Sequence, residues 1–90
     1  MATVLNVASY LKPYIGNKES VTVKGSTVRE CLSDLIRKYP GMKKMVFNPE
    51  GNLHDYVSVF VGGDIAYGDQ IDKPVKEGET LHLLYIIGGG

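Results

Sequence analysis

A two-layer α+β domain, one mixed sheet of four to five strands packed on one main helix, is the fold this sequence predicts. Three observations carry it. A single strongly amphipathic helix lies between Thr27 and Tyr39. Two segments of strand character precede it and three follow. The last of these, Thr80 to Ile87, is the longest. One helix with one apolar stripe needs one sheet to cover it. Ninety residues are enough for one such core and too few for two.

The elements follow in order. Thr3-Val4-Leu5-Asn6-Val7 is β-branched and apolar, a first strand. Ser9 to Asn17 contains Pro13 and Gly16 and reads as a connection, with some structure around Tyr10 and Tyr14. Glu19 to Lys24 alternates polar and apolar residues, the mark of a half-buried strand, and pairs with the first as a hairpin with a long loop. Thr27-Val28-Arg29-Glu30 fits a capping box, in which the hydroxyl takes an orphan amide and the glutamate reaches back. Val28, Cys31, Leu32, Leu35, Ile36 and Tyr39 then recur at spacings of three and four, one apolar stripe. Arg37 and Lys38 suit the negative end of the helix dipole, and Pro40-Gly41 stops the helix.

Met42 to His54 reads as irregular, with turn chemistry at Asn48-Pro49-Glu50-Gly51. Val57 to Val61 is a third strand. Gly62-Gly63-Asp64 turns into a short fourth strand around Ile65-Ala66. Tyr67 to Pro74 is loop or a single helical turn, and Glu77-Gly78-Glu79 is a turn into the final strand.

With the final strand central beside the first, this order is the β-grasp, the ubiquitin-like fold. It predicts a β-grasp domain over residues 1–87 and a flexible glycine tail over 88–90. Alternation sorts the faces of the sheet. Val57, Val59 and Val61 share one side with Leu81, Leu83 and Tyr85. Ser58 and Phe60 share the other with His82, Leu84 and Ile86. If the valine side meets the helix, then Phe60, Leu84 and Ile86 stand on the open face, where gathered apolar side chains mark a partner site. His82 shares that face and is read as surface filler, with a partner contact as the alternative.

Composition narrows the function. With 43% hydrophobic and 22% charged residues the chain is that of a folded domain, and its formal charge is zero. No basic field argues for nucleic acid or an anionic membrane. Arg37, Lys38, Lys43 and Lys44 do cluster after the helix. Asp64, Asp69, Asp72, Glu77 and Glu79 lie nearer the C-terminus and are read as a solvated face, with a basic partner as the alternative. The single cysteine, Cys31, excludes an internal disulfide and a cysteine-based metal site, and its place on the helix stripe makes it a core thiol. No signal pattern or membrane-length apolar run is present, so a cytoplasmic protein is expected. His54 and His82 are lone histidines, Gly62-Gly63 leads into no helix that would make it a phosphate loop, and no catalytic triad or carboxylate pair is evident.

The remaining feature is the end, Tyr85-Ile86-Ile87-Gly88-Gly89-Gly90. Glycine lacks a Cβ, so such a segment can lie extended in a channel too narrow for other residues, and a terminal glycine offers the least hindered carboxylate. This end and the element order resemble the small ubiquitin-like sulfur carriers of the ThiS/MoaD-like family, which feed thiamin, molybdopterin and certain cysteine or methionine pathways. Three stretches carry the resemblance: Val57 to Asp64, the loop from Tyr67-Gly68-Asp69-Gln70 to Gly78-Glu79, and Thr80 to Gly90, with Leu84 at a position often aromatic there. Gly88 departs from the alanine, threonine or other small residue of many members. The length of residues 40–56 looks more like the carriers of the amino-acid pathways.

The resemblance implies a carrier rather than an enzyme, with no bound cofactor. An E1-like adenylating enzyme would use ATP to activate the Gly90 carboxylate. A sulfur donor would displace AMP to leave a thiocarboxylate, and a sulfur-accepting biosynthetic enzyme would take the sulfur through the thin Gly88–Gly90 tail. Two other readings stay open. A ubiquitin-like modifier would spend the same activation on an isopeptide bond to lysine. A plain β-grasp docking module would need no C-terminal chemistry at all.

Overall fold

The computed structural model describes residues 2–68 and 70–85. Five strands form one mixed sheet in the order β2-β1-β5-β3-β4: β1 Ala2–Val7, β2 Ser20–Lys24, β3 Val57–Val61, β4 Asp64–Tyr67 and β5 Thr80–Tyr85. β5 lies parallel to β1, with Leu5 opposite Leu81, and antiparallel to β3, with Val59 opposite Leu83. This is the β-grasp arrangement expected, and its central pair is the first strand and the last.

Helix α1, Val28–Lys38, covers one face. Val28, Cys31, Leu32 and Leu35 on its stripe are buried against Leu5, Val21, Val23, Val57, Val59, Leu81 and Leu83 from the sheet. Leu35 has no exposed surface. Leu35→Ala is expected to cost about 2–5 kcal/mol, from lost transfer energy and the cavity left behind. A urea midpoint shifted by less than the equivalent of 1 kcal/mol would mean that the site collapses around the gap.

The start of α1 differs in detail from a capping box. Thr27 Oγ1 accepts from the Glu30 amide at 3.2 Å as expected, but Glu30 reaches one residue further back, to the Ser26 amide at 2.7 Å and its hydroxyl at 2.8 Å. Gly25 makes room for this turn, since a Cβ there would lie 2.7 Å from the Cys31 amide nitrogen and from Glu30 Cβ. The loop before β5 closes over the same helix end, Lys73 and Ile71 carbonyls accepting from the Val28 and Arg29 amides at 3.0 and 2.6 Å. At the other end Asp34 accepts from the Lys24 amide at 2.9 Å and from Arg37 at 2.5 Å, tying α1 to β2.

The hydrogen bond from Arg37, helped by the Lys24 amide and Lys38, holds the Asp34 carboxyl at about 2 against an ordinary 3.8. A lowered folded-state pKa stabilises above the ordinary value and loses its contribution as pH falls through the folded one. The urea midpoint of the native chain should therefore exceed that of Asp34→Asn at neutral pH, with the gap closing between about pH 4 and pH 2. A gap independent of pH would assign the effect to packing instead.

Two connections hold more structure than their sequences suggested. Ser9–Ile15 is a 3-10 helix containing Pro13 and capped by Gly16 in the left-handed region. Among its described side chains Leu11 and Ile15 are buried, whereas Tyr14 is exposed. After α1, a turn of 3-10 helix at Pro40–Met42 runs into α2, Lys43–Val46, where an irregular segment was expected. Met42, Val46 and Leu53 from this region are all in the core. The Asn48 turn appears as expected: Asn48 Oδ1 accepts from the Glu50 and Asn52 amides at 3.1 and 3.0 Å. Gly62 and Gly63, at φ 57° and 82°, make the two-residue β3–β4 turn with both positions in the region that glycine tolerates best.

Candidate functional site

The face of the sheet turned away from α1 follows from the β3–β5 register. Val57, Val59 and Val61 with Leu81 and Leu83 are buried on the helix side, so Ser58, Phe60, His82 and Leu84 take the open side. Phe60 lies opposite His82 on β5 and opposite Ile65 on β4. Phe60 is 36% exposed, Leu84 40% and Ile65 43%. Leu84 is diagonal to Phe60 across the β3–β5 ladder, within reach of so large a side chain. Isolated apolar residues on a surface are unremarkable. Three that adjoin through direct and diagonal cross-strand pairs make a patch, and a patch asks for a partner.

His82 completes the patch on one side. Its ring lies 6.0 Å from that of Phe60, tilted by 60°, and its Nδ1 is 3.4 Å from Asn6 Nδ2. Ser58 shares the open face but is only 5% exposed, a small side chain opposite Leu84. Ile65 was missed by the sequence reading, which placed a short strand there without sorting its faces. Its place beside Phe60 follows from the β3–β4 register, with Ala66 buried and Ile65 exposed.

Ile86, Gly88, Gly89 and Gly90 lie outside the described residues. What leads into them is described. The Tyr85 hydroxyl donates to the Met45 carbonyl on α2. Its ring meets Tyr56 edge-on at 5.2 Å, and Tyr56 stacks on His54 at 4.8 Å. His54 Nε2 in turn is 2.8 Å from the Lys44 carbonyl, which can only accept, so Nε2 carries the proton. The C-terminal end of β5 is thus moored to α2 through side chains as well as to β3 through the backbone.

Several other sequence candidates have structural partners. Cys31 is buried, its Sγ 3.7 Å from the Gly25 carbonyl, and loss of solvation pushes the thiol pKa up, away from the reactive thiolate. Of the acidic residues toward the C-terminus, Asp64 pairs with Lys73 and Asp72 with Arg29, each at 2.8 Å, while Glu79 accepts from the Lys76 amide at 2.7 Å. Asp69 lies outside the described residues. Among the described residues no group of three or more His, Cys, Asp or Glu is placed to hold a metal. No helix among them is long and apolar enough to cross a membrane.

A β-grasp domain with an apolar sheet face and its last strand running into glycines defines a class, the small ubiquitin-like carriers. The chain belongs to the ThiS family, whose sequence model matches residues 6–90. It is 26% identical over 93 residues to the sulfur carrier protein CysO of Mycobacterium tuberculosis, covering all of both chains. It is 28% identical over 65 residues to small archaeal modifier protein 1 of Haloferax volcanii, 72% of this chain and 71% of that one. Among solved structures, a chain of the Amycolatopsis orientalis BexX/CysO complex superposes with a TM-score of 0.85 at 28% identity, covering 98% of this chain and 99% of that one. Of these relatives, CysO is a sulfur carrier protein rather than an enzyme, and the Haloferax protein is a modifier.

Proposed function

We propose that this protein is a sulfur carrier whose Gly90 carboxylate is adenylated by an E1-like partner enzyme and converted to a thiocarboxylate. The observation that carries the reading is the ThiS family match, which runs through the glycine segment to residue 90. The chemistry explains why an enzyme must act first, because a carboxylate is a poor electrophile until one oxygen becomes part of a leaving group. The Gly90 carboxylate attacks the α-phosphate of ATP on the partner, releasing pyrophosphate and forming an acyl adenylate. A sulfur donor attacks the acyl carbon and expels AMP, leaving the sulfur on Gly90. A biosynthetic enzyme of cofactor or amino-acid metabolism then takes that sulfur in the cytoplasm. The chain contributes position: Gly88 and Gly89 as a thin flexible tail, and Phe60, Leu84, Ile86 and His82 as the docking face that brings Gly90 to the reacting phosphate.

The test is the intact mass of the protein after incubation with ATP, a sulfide source and the adenylating enzyme of its host. A gain equal to the exchange of one oxygen for one sulfur, mapped to Gly90, is the expected result. Absence of both adenylate and thiocarboxylate with a demonstrably active enzyme would leave a docking module. The relationship to a small archaeal modifier protein supports a second reading, conjugation to lysine through the same activated carboxylate. Its mark would be species of higher mass in cells.

A further inference from the structure

The helix side of the domain carries a groove that the carrier reading does not use. Two adjoining clefts of about 410 and 470 Å³ share Lys43, Phe47, Asn48 and Pro49 as lining. The first extends to Lys44 and His54, the second along α1 to Arg29 and Ser33. Phe47 and Pro49 make an apolar floor. Among the described residues no carboxylate lines either cleft.

The charged side chains along it, among the described residues, are cationic. Lys43 and Lys44 are exposed and form no ion pair among the described residues. Both turn bonds of Asn48 go to Oδ1, and its NH₂ group makes no hydrogen bond among the described residues. Arg29 is already held by Asp72, and the His54 Nε2 proton by the Lys44 carbonyl. The uncompensated positive charge therefore sits at the Lys43–Lys44 end. That end adjoins the base of the tail, because His54 stacks on Tyr56 and Tyr56 meets Tyr85.

We propose that this groove docks an extended acidic segment of a partner protein, its carboxylates on Lys43 and Lys44 and an apolar side chain against Phe47 and Pro49. An open, elongated groove suits an extended chain, whereas a small anion would find no enclosing walls. A second copy of this chain fits less well: Asp34, Asp64 and Asp72 are engaged by Arg37, Lys73 and Arg29, and the sequence holds no two adjacent acidic residues to meet the adjacent lysines. Complementary charge at such a rim governs encounter and partner choice more than affinity, so single-segment binding should be weak and salt-dependent.

The test is a titration of the full ¹⁵N-labelled chain with a capped, alternating glutamate–leucine peptide, followed by amide shifts. Shifts centred on Lys43, Lys44, Phe47 and Asn48 are expected, fading as salt is raised. The double variant Lys43→Glu, Lys44→Glu should weaken binding at least about tenfold, and its spectrum reports directly whether it remains folded. The milder Lys43→Gln, Lys44→Gln pair should weaken it less. The proposal is overturned by shifts centred on Phe60 and Leu84, by an equal response to a lysine–leucine peptide, or by no response at all. Equal shifts from inorganic phosphate alone would replace the peptide with a small anion and overturn it too. None of these readouts involves Gly90, so their failure and the failure of the carrier chemistry are separate results.

Discussion

Deletion of Gly90 is expected to abolish both adenylation and sulfur loading while leaving the stability of the domain unchanged. The last ladder partner of β3 is Tyr85, opposite Val57, and the described core draws on no residue beyond it. Removing the terminal residue therefore takes nothing from that packing. It shortens the reach of the carboxylate by roughly 3.5 Å, the span of one extended residue. In-line attack needs the reacting atoms within about 3–3.5 Å, and a displacement of about 1 Å can already cost about a hundredfold. A carboxylate one residue short should therefore fall below detection, not merely slow down. Thermal unfolding of the truncated chain supplies the control. Full loading of the truncated protein would sink the requirement for Gly90 and place the reacting carboxylate on Gly89 instead. If conjugates of higher mass are found in cells and vanish with the deletion, the activated carboxylate is passing to lysine.

The order of elements and the helix stripe were legible in the sequence because both rest on periodicity. The Val57–Val61 alternation sorted the two faces of the sheet correctly, and the Thr27 cap marked the start of α1 to the residue. What stayed hidden were elements too short to show a period. The four residues of α2 complete barely one turn, and their role in the core becomes visible only when Met42 and Val46 are seen packed with Leu53. Pro13 and Gly16 were read as breakers of structure around Ser9–Asn17. A 3-10 helix tolerates that proline, and its Leu11 and Ile15 reach the core. Glu30 bonded to Ser26 because the turn at Gly25 brings that residue's amide and hydroxyl to the carboxylate together. The candidate docking face was partly legible. Phe60, His82 and Leu84 came from strand alternation, whereas Ile65 needed the β3–β4 register to place it beside Phe60. The lysine cluster was visible, but the groove between α1, α2 and the Asn48 turn joins residues from Arg29 to His54 that no local pattern connects.

Leu84→Asp should raise the KM of the adenylating enzyme for this carrier by about thirty- to a thousandfold, the penalty for losing a central apolar anchor of about 2–4 kcal/mol at an interface. Its kcat should change little, since the tail that reaches the active site is intact. Leu84 is 40% exposed on the open face, so the folded state should lose no more than about 0.5–1 kcal/mol. The adjacent position makes the comparison decisive. Leu83 is fully buried against α1, and Leu83→Asp places a charge in the core, so the domain should unfold. A slip of one residue in β5 would exchange the two outcomes. Phe60→Asp should act as Leu84→Asp does. The double variant should lose less than the sum, because the two side chains serve one patch and neighbouring sites are not additive. If Leu84→Asp is loaded at the normal rate while remaining folded, the partner grips the carrier elsewhere. The Lys43–Lys44 groove is the next surface to test, because it adjoins Tyr85 from the opposite side of the sheet.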